Sequence, residues 1–417
     1  MLRRAFVLLA SSLALSACAT EGGLPIAGGS SAMPPGMSPG GLPGGIVPGA
    51  APGGGRAVAL LLPLSGSFAD IGQAMLKAAQ LALDAPGAPA LDVRDTGGAP
   101  ATAATAARAA IAAGDVLILG PLTSAETAAV APIAQAANVP VLAFTNDPGQ
   151  ARPGVWPLGI TPVQQVRRLV TAAQGQGKST FAGLLPDTDF GHAMGSALTQ
   201  AVGDPALRYY APGMSSINAA TRDLSGYAQR RGPLDAQIRA ARDLDTAEGR
   251  KQAAELRRES VPPPPFDALL LADTGDSLAE IASLLPYYDL GSVRVLGPAQ
   301  WSVPGSNAGQ LPGAWYAAPD PAARATFDQA YTTKFGSPAP PVSDLAFDAA
   351  AIARALDTRE GVSVAALTQP AGFAGSDGLL ILTPDGHVRR GLAVFEIQRG
   401  GAQMVEPAPA SPSAPGV

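Results

Sequence analysis

Cysteine, histidine and charge are all scarce in this 417-residue chain, and each scarcity removes a class of function. A single cysteine, Cys18, permits no disulfide within the chain and no cysteine-based zinc site. Two histidines, His192 and His387, lie far apart in sequence, so hydrolases that need a His cluster are nearly excluded and no metal set is offered. Charged residues make up 15% of the chain, and 28 basic against 33 acidic side chains give a net charge of −5 with no long run of one sign. Affinity for nucleic acid comes mainly from basic neutralisation of phosphates, so nucleic acid is not expected as the principal partner. No pair of carboxylates or nucleophile with a base stands out, and the chain is expected to be a non-enzyme without a cofactor.

What is abundant is glycine and proline, 49 and 41 residues, and they are unevenly placed. Between Glu21 and Gly55, 13 glycines and 7 prolines fill 20 of 35 positions, with no hydrophobic period. That composition describes a flexible tether, with a coil reach of about 30–35 Å. The end, 406–417, is Pro/Ala/Ser-rich and is expected to be disordered. With 47% hydrophobic residues, the region between can bury a sizeable core.

The amino terminus has the three parts of a signal peptide: Arg3 and Arg4, an apolar run from Ala5 to Leu15, then small residues. The run is too short for a membrane span. It ends Leu15-Ser16-Ala17-Cys18, which resembles the bacterial lipobox. The resemblance implies a leader over 1–17, cleavage before Cys18, and lipidation of its nucleophilic thiol. Several acyl chains exceed the single-chain limit for reversible binding. Ala19 stands where lipoproteins retained in the inner membrane carry Asp, so the implied destination is the periplasmic face of the outer membrane.

From Ala57 the pattern becomes an alternation of short apolar runs and helical segments. Ala57 to Leu62 reads as a strand buried on both faces, Ile71 to Leu83 as an amphipathic helix, and Leu91 to Asp95 as a second strand. An Ala-rich helix over 101–113, a strand at 116–119, a helix from Ser124 and a strand at 139–144 follow. Such alternation implies right-handed βαβ units and a parallel sheet. The rhythm restarts after Pro162, with strands at 181–185, 207–210, 268–272 and 293–296. Leu234 to Glu259 reads as a charged, solvated helix. Near the end, strands at 379–382 and 391–397 flank the turn signal Pro384-Asp385-Gly386.

Four segments in this order resemble the type I periplasmic binding proteins, the two-lobed Venus-flytrap fold: Leu62-Pro63-Leu64-Ser65-Gly66, Leu119-Gly120-Pro121-Leu122-Thr123-Ser124, Pro186-Asp187-Thr188-Asp189-Phe190-Gly191, and Leu382 to Gly391. The resemblance implies an α/β fold of two lobes, each a mostly parallel sheet flanked by helices. It implies three chain crossings, expected near Leu158, Ala317 and Gly378. Lobe one is then 56–159 with 319–377, and lobe two 160–318 with 378–405. The lipobox, the tether, the helical insertion at 234–259 and the ending Arg389-Arg390-Gly391-Leu392-Ala393-Val394-Phe395-Glu396-Ile397 are similar to the penicillin-binding protein activators. Those are outer-membrane lipoproteins that stimulate peptidoglycan synthases. The alternative is a solute receptor of an ABC importer for branched-chain amino acids or amides.

The resemblance also proposes cleft residues. Ser124 matches the serine that holds a ligand carboxylate at a helix start. Thr145, Asn146 and Asp147 fall at the next strand end, where the charge of Asp147 is unfavourable for an anion. Phe190 replaces a tyrosine, and Gln300 stands near the place of an acid that would hold an ammonium. Asp273 could substitute for that acid, and Ser65 belongs to the first motif. The plainer alternative is that Ser124 caps a helix and Phe190 only packs. For a synthase partner, the expected surface is Arg239, Arg242, Arg250, Arg257 and Arg258.

Overall fold

In the computed structural model, residues 56–413 except 357 and 360, together with 416, are described. The expected leader, lipidated Cys18 and tether fall outside them. The first strand, β1 (Val58–Leu62), is buried along its whole length, as a continuous apolar run between two helical layers should be. It pairs in parallel with β2 (Leu91–Asp95) and β3 (Ile118–Leu119), and β3 leads to β4 (Val141–Ala143) and β5 (Val155–Pro157). The five-stranded order β2-β1-β3-β4-β5 is that of a doubly wound sheet. Helices α1 (Ala69–Ala82), α2 (Pro100–Ala113) and α3 (Ser124–Ala136) cover it.

The chain crosses at Leu158–Thr161 into lobe two through α4 (Pro162–Gly175). Then come β6 (Phe181–Pro186), α5 (Asp189–Val202), β7 (Ala206–Tyr210) and α6 (Met214–Ser225). The stretch read as one charged helix is a helical hairpin, α7 (Tyr227–Asp243) and α8 (Ala247–Leu256). Asp245, at φ 45°, turns the chain and Thr246 caps α8, while Leu234, Ile238, Ala241 and Ala253 form a small core of their own. The strands β8 (Ala268–Leu271), β9 (Arg294–Gly297) and β10 (Trp315–Ala318) complete the parallel part, with α9 (Gly275–Tyr287) between the first two.

After β10 the chain returns to lobe one as α10 (Pro321–Phe335), α11 (Ser343–Ala355) and the short α12 (Val364–Leu367). The three-stranded sheet β11 (Phe373–Gly375), β12 (Gly378–Leu382) and β13 (Val388–Arg390) follows. Leu380, Leu382 and Val388 pack into the lobe-one core, and Trp156 Nε1 donates to the Thr383 carbonyl at 2.8 Å. The third crossing is therefore at Gly391–Leu392 and not near Gly378, which corrects the expected boundary. The expected hairpin partner, 391–397, is also corrected. The partner of β12 is the three-residue β13, too short to show an alternation, whereas β14 (Ala393–Gln398) joins lobe two against β10.

The last strand, β15 (Gly401–Glu406), extends the lobe-two sheet to the order β15-β14-β10-β9-β8-β6-β7. Described residues of the tail, from Glu406 on, have partners in the body of the chain. Arg168 pairs with Glu406 at 2.9 Å and donates to the Pro407 carbonyl at 3.2 Å, and Arg389 donates to the Pro412 carbonyl at 3.3 Å.

In each lobe the helix that follows the first strand packs against that strand's end through a glycine. A Cβ on Gly72 of α1 would lie 2.1 Å from the Pro63 carbonyl oxygen, and one on Gly191 of α5 would lie 2.0 Å from that of Pro186. Neither backbone can yield without moving a helix off its sheet. Gly72→Ala should therefore lower stability by about 1–3 kcal/mol in urea melts. Gly175→Ala, in the last turn of α4 with open space around it, should instead raise stability by about 0.5 kcal/mol. Equal effects at the two sites would contradict the close-approach account.

Candidate functional site

The carboxyl ends of the parallel strands of both lobes face one cleft, the place where open α/β sheets bind ligands. Its volume is about 910 Å³. Lobe one contributes Leu122 to Ser124 after β3 and Phe144 to Asp147 after β4; lobe two contributes Ala299, Gln300, Ser302 and Val303 after β9. The returned helices add Arg324, Asp328, Asp344 and Leu345, and Asp377 comes from the β11–β12 turn. Val342, on the lip, holds φ 65°, a left-handed conformation costly for a β-branched residue.

Five of the sequence-expected cleft residues are brought together here: Ser124, Thr145, Asn146, Asp147 and Gln300. Ser65, Phe190 and Asp273 are not. Ser65 is exposed beside Asp95, whose carboxylate accepts from its amide at 3.3 Å. Phe190 packs against the lobe-two core, and Asp273 accepts from the Tyr210 hydroxyl at 2.8 Å.

Ser124 is not the helix cap. Thr123 caps α3 in a reciprocal box with Glu126, which leaves Ser124 as the first helical residue. The Ser124 hydroxyl donates to Asp147 Oδ2, which also accepts from Gln150 Nε2 at 3.0 Å, while Oδ1 accepts from the Gly149 amide at 2.8 Å. Burial raises the Asp147 carboxyl, but the bonds from Ser124, Gln150 and Gly149 outweigh it and hold it below its ordinary value. The cleft's serine is thus occupied by a carboxylate of the same chain.

The opposite end carries a charge cluster that sequence reasoning missed. Arg324 Nη1 lies 2.9 Å from Asp344 and 3.4 Å from Asp377, and its Nε lies 3.3 Å from Asp328. Asp377 also faces Arg390 at 3.6 Å, and Arg390 donates to the Leu158 carbonyl at 2.7 Å. Asp348, one turn after Asp344, accepts from the Ser376 amide at 2.6 Å. A readable signal existed. Asp344 and Asp348 sit four residues apart in a helix otherwise rich in buried alanine, and buried carboxylates require partners.

Burial pushes Asp377 up to about 7, helped by Asp344 and opposed by Arg390 and Arg324. Burial likewise pushes Asp348 up to about 6, against the pull of Arg390 and Ser376. At the base of lobe one, burial and the neighbouring Asp92 push Asp115 up to about 7.

The expected partner arginines, Arg239, Arg242, Arg250, Arg257 and Arg258, are all exposed on the α7–α8 hairpin or just after it. Arg250 pairs with Asp245 at 3.3 Å. Leu244, at the hairpin turn, is 61% exposed, and Tyr287, stacked near Tyr227 at the hairpin base, is 67% exposed.

A periplasmic binding protein family model matches residues 57–402. No curated protein matches the sequence. Among solved structures, the branched-chain amino acid ABC transporter periplasmic ligand-binding protein of Burkholderia xenovorans is similar at 17% identity and a TM-score of 0.57. That match covers 84% of this chain and 94% of the other. The C-domain of LpoA from Haemophilus influenzae, described as a regulator of PBP1A, is similar at 18% identity and a TM-score of 0.58, over 84% of this chain and all of that domain. Full-length LpoA gives 19% identity and 0.59, again over 84% of this chain, which spans only 59% of that protein. At these identities the likeness shows the fold.

The raised carboxyls fix the sign of a pH dependence. Between about pH 4 and about pH 7 the native state keeps protons on Asp115, Asp348 and Asp377 that the unfolded chain has released. Stability from these groups therefore falls as pH rises through that window. In urea melts at pH 5 and pH 8, Asp115→Asn should shrink the decline by about 1 kcal/mol or more. An unchanged decline would show that Asp115 titrates normally.

Proposed function

The chain belongs to the periplasmic binding protein family, and we propose that within it this protein is an envelope lipoprotein that binds and stimulates a peptidoglycan synthase of the penicillin-binding class. The carrying observation is the bond between Ser124 and Asp147. In a receptor for free amino acids, a hydroxyl at this helix start would be open to the ligand carboxylate. Here it is engaged, and the engaging group is itself an anion that repels another. Phe190 supplies no hydroxyl and Asp273 lies outside the cleft, so neither offers an amino acid the partner expected of it, although Thr145, Asn146 and Gln300 line the cleft. The reading is further supported by the likeness to the LpoA C-domain, although binding proteins for branched-chain amino acids are about as similar. One relative is described as a ligand-binding protein and the other as a regulator. The alternative, an importer's solute receptor, draws its support from the completeness of the two lobes and the cleft.

On this reading the anchor is Cys18 and the destination the outer membrane. Cys18→Ser should release the protein from sedimented outer membrane with its melting temperature unchanged. Retention of the variant there would end the lipoprotein assignment.

The partner surface we assign is the α7–α8 hairpin with its exposed arginines and Leu244. Arginine suits interfaces because its planar fork makes paired bonds and its weak hydration lowers the desolvation cost. Arg257→Glu with Arg258→Glu should weaken binding to a class A penicillin-binding protein by about 1–3 kcal/mol in surface plasmon resonance, chiefly through faster dissociation. Ser124→Ala should leave that binding unchanged. Loss of binding in Ser124→Ala alone, with the protein folded, would move the working site to the cleft.

A further inference from the structure

The cleft is unbalanced in charge. Asp147, Asp328, Asp344 and Asp377 line it, and Arg324 is the single cation among the described lining residues. That one guanidinium is shared by three carboxylates. Arg390 compensates Asp377 only from behind, with its own side chain fully buried, and it also acts on Asp348. Arg152, which acts on Asp147, is directed at the Gln150 and Gly149 carbonyls of its own loop. Asp328 and Asp344 alone outnumber Arg324, so the corner carries excess negative charge even where Asp377 keeps its proton, and the excess grows as Asp377 ionises above about pH 7. In a partly desolvated cavity a missing counter-charge is felt strongly.

The rest of the lining mixes uncharged polar groups, such as Thr145, Asn146 and Gln300, with an apolar wall. Phe144, Ile160 and Leu345 lie inside, and Val303 of lobe two and Val342 of lobe one stand at the mouth, both more than a third exposed. A large cavity with apolar walls and a few convergent polar groups is the usual form of a small-molecule site.

We infer that the cleft binds a small organic cation with an aliphatic or aromatic body and no carboxylate. The ammonium supplies the missing positive charge at the Asp328–Asp344–Asp377 corner, and the body lies against Val303, Val342 and the inner apolar wall. An amino acid is rejected because its carboxylate would meet Asp147 with no unshared cation to receive it. The inference concerns the cleft alone and is independent of the synthase surface on the hairpin, so either can fail without the other.

The test uses the full chain and four related probes: leucinamide, a cation; leucine, a zwitterion; N-acetylleucinamide, which is neutral; and N-acetylleucine, an anion. Isopentylamine and phenethylamine are added as simpler cations. At least one of the three cations should raise the melting temperature at millimolar concentration and give a saturable calorimetric isotherm, with affinity falling as salt is raised. Leucine and N-acetylleucine should give no shift, and N-acetylleucinamide should bind at least tenfold more weakly than leucinamide. Asp328→Asn, at a half-exposed side chain where folding is not at risk, should weaken the bound cation about tenfold. The proposal is overturned if none of the three cations binds, if leucine binds as well as leucinamide, or if Asp328→Asn leaves the affinity unchanged.

Discussion

Arg390 is where the three chain crossings meet. It ends β13, one residue before the third crossing, and donates to the carbonyl of Leu158, where the first crossing begins. Its ion-pair partner, Asp377, reaches Arg324 on α10, which starts just after the second crossing. A fully buried guanidinium is costly unless it is paired and hydrogen-bonded. Leu158 and Asp377 partner Arg390 directly and Arg324 only through Asp377, while its Nε and Nη1 have no hydrogen-bond partner among the described residues. The segments that join the lobes are thus linked by one electrostatic cluster as well as by apolar packing. Removing a member would leave a buried charge without compensation at the hinge itself.

The same cluster supplies one end of the cleft, which ties hinge and site together. Asp344 and Asp377 face Arg324 on one side and the cleft on the other, so any ligand charge placed there acts on the groups that hold the hinge. The other end is closed electrostatically by Asp147 on Ser124. Both ends of the cleft are thus acidic. Between them lies an apolar wall, formed by Phe144, Ile160 and Leu345.

The sequence was most readable where burial is continuous. The doubly covered strands β1, β6 and β8 are uninterrupted apolar runs, and the restart of the strand–helix rhythm after Pro162 marked the second lobe. It was least readable where pairing is short or distant. Three-residue β13 offers no alternation, and the exposed β15 has few apolar positions to reveal it. Composition also cannot register a partner elsewhere in the chain, and described residues of the Pro-rich tail have such partners. Gly391 has no room for a Cβ because the Pro409 carbonyl lies 2.6 Å from where it would stand.

The site shows the same division between local and distant causes. Ser124, Thr145, Asn146, Asp147 and Gln300 follow strand ends, so their convergence is a consequence of a parallel sheet and could be anticipated. Asp273 also follows a strand end, β8, yet its carboxylate turns to the Tyr210 hydroxyl, a contact set by a strand 63 residues earlier. Arg324, Asp377 and Arg390 come from separate segments with no common spacing. Only the return of the chain to lobe one, and its late exit at Gly391, brings them to one point. The groups that set the cleft's charge are therefore the ones a linear reading is least able to assemble, and the fold could be recognised from motifs that carry little information about what the cleft will accept.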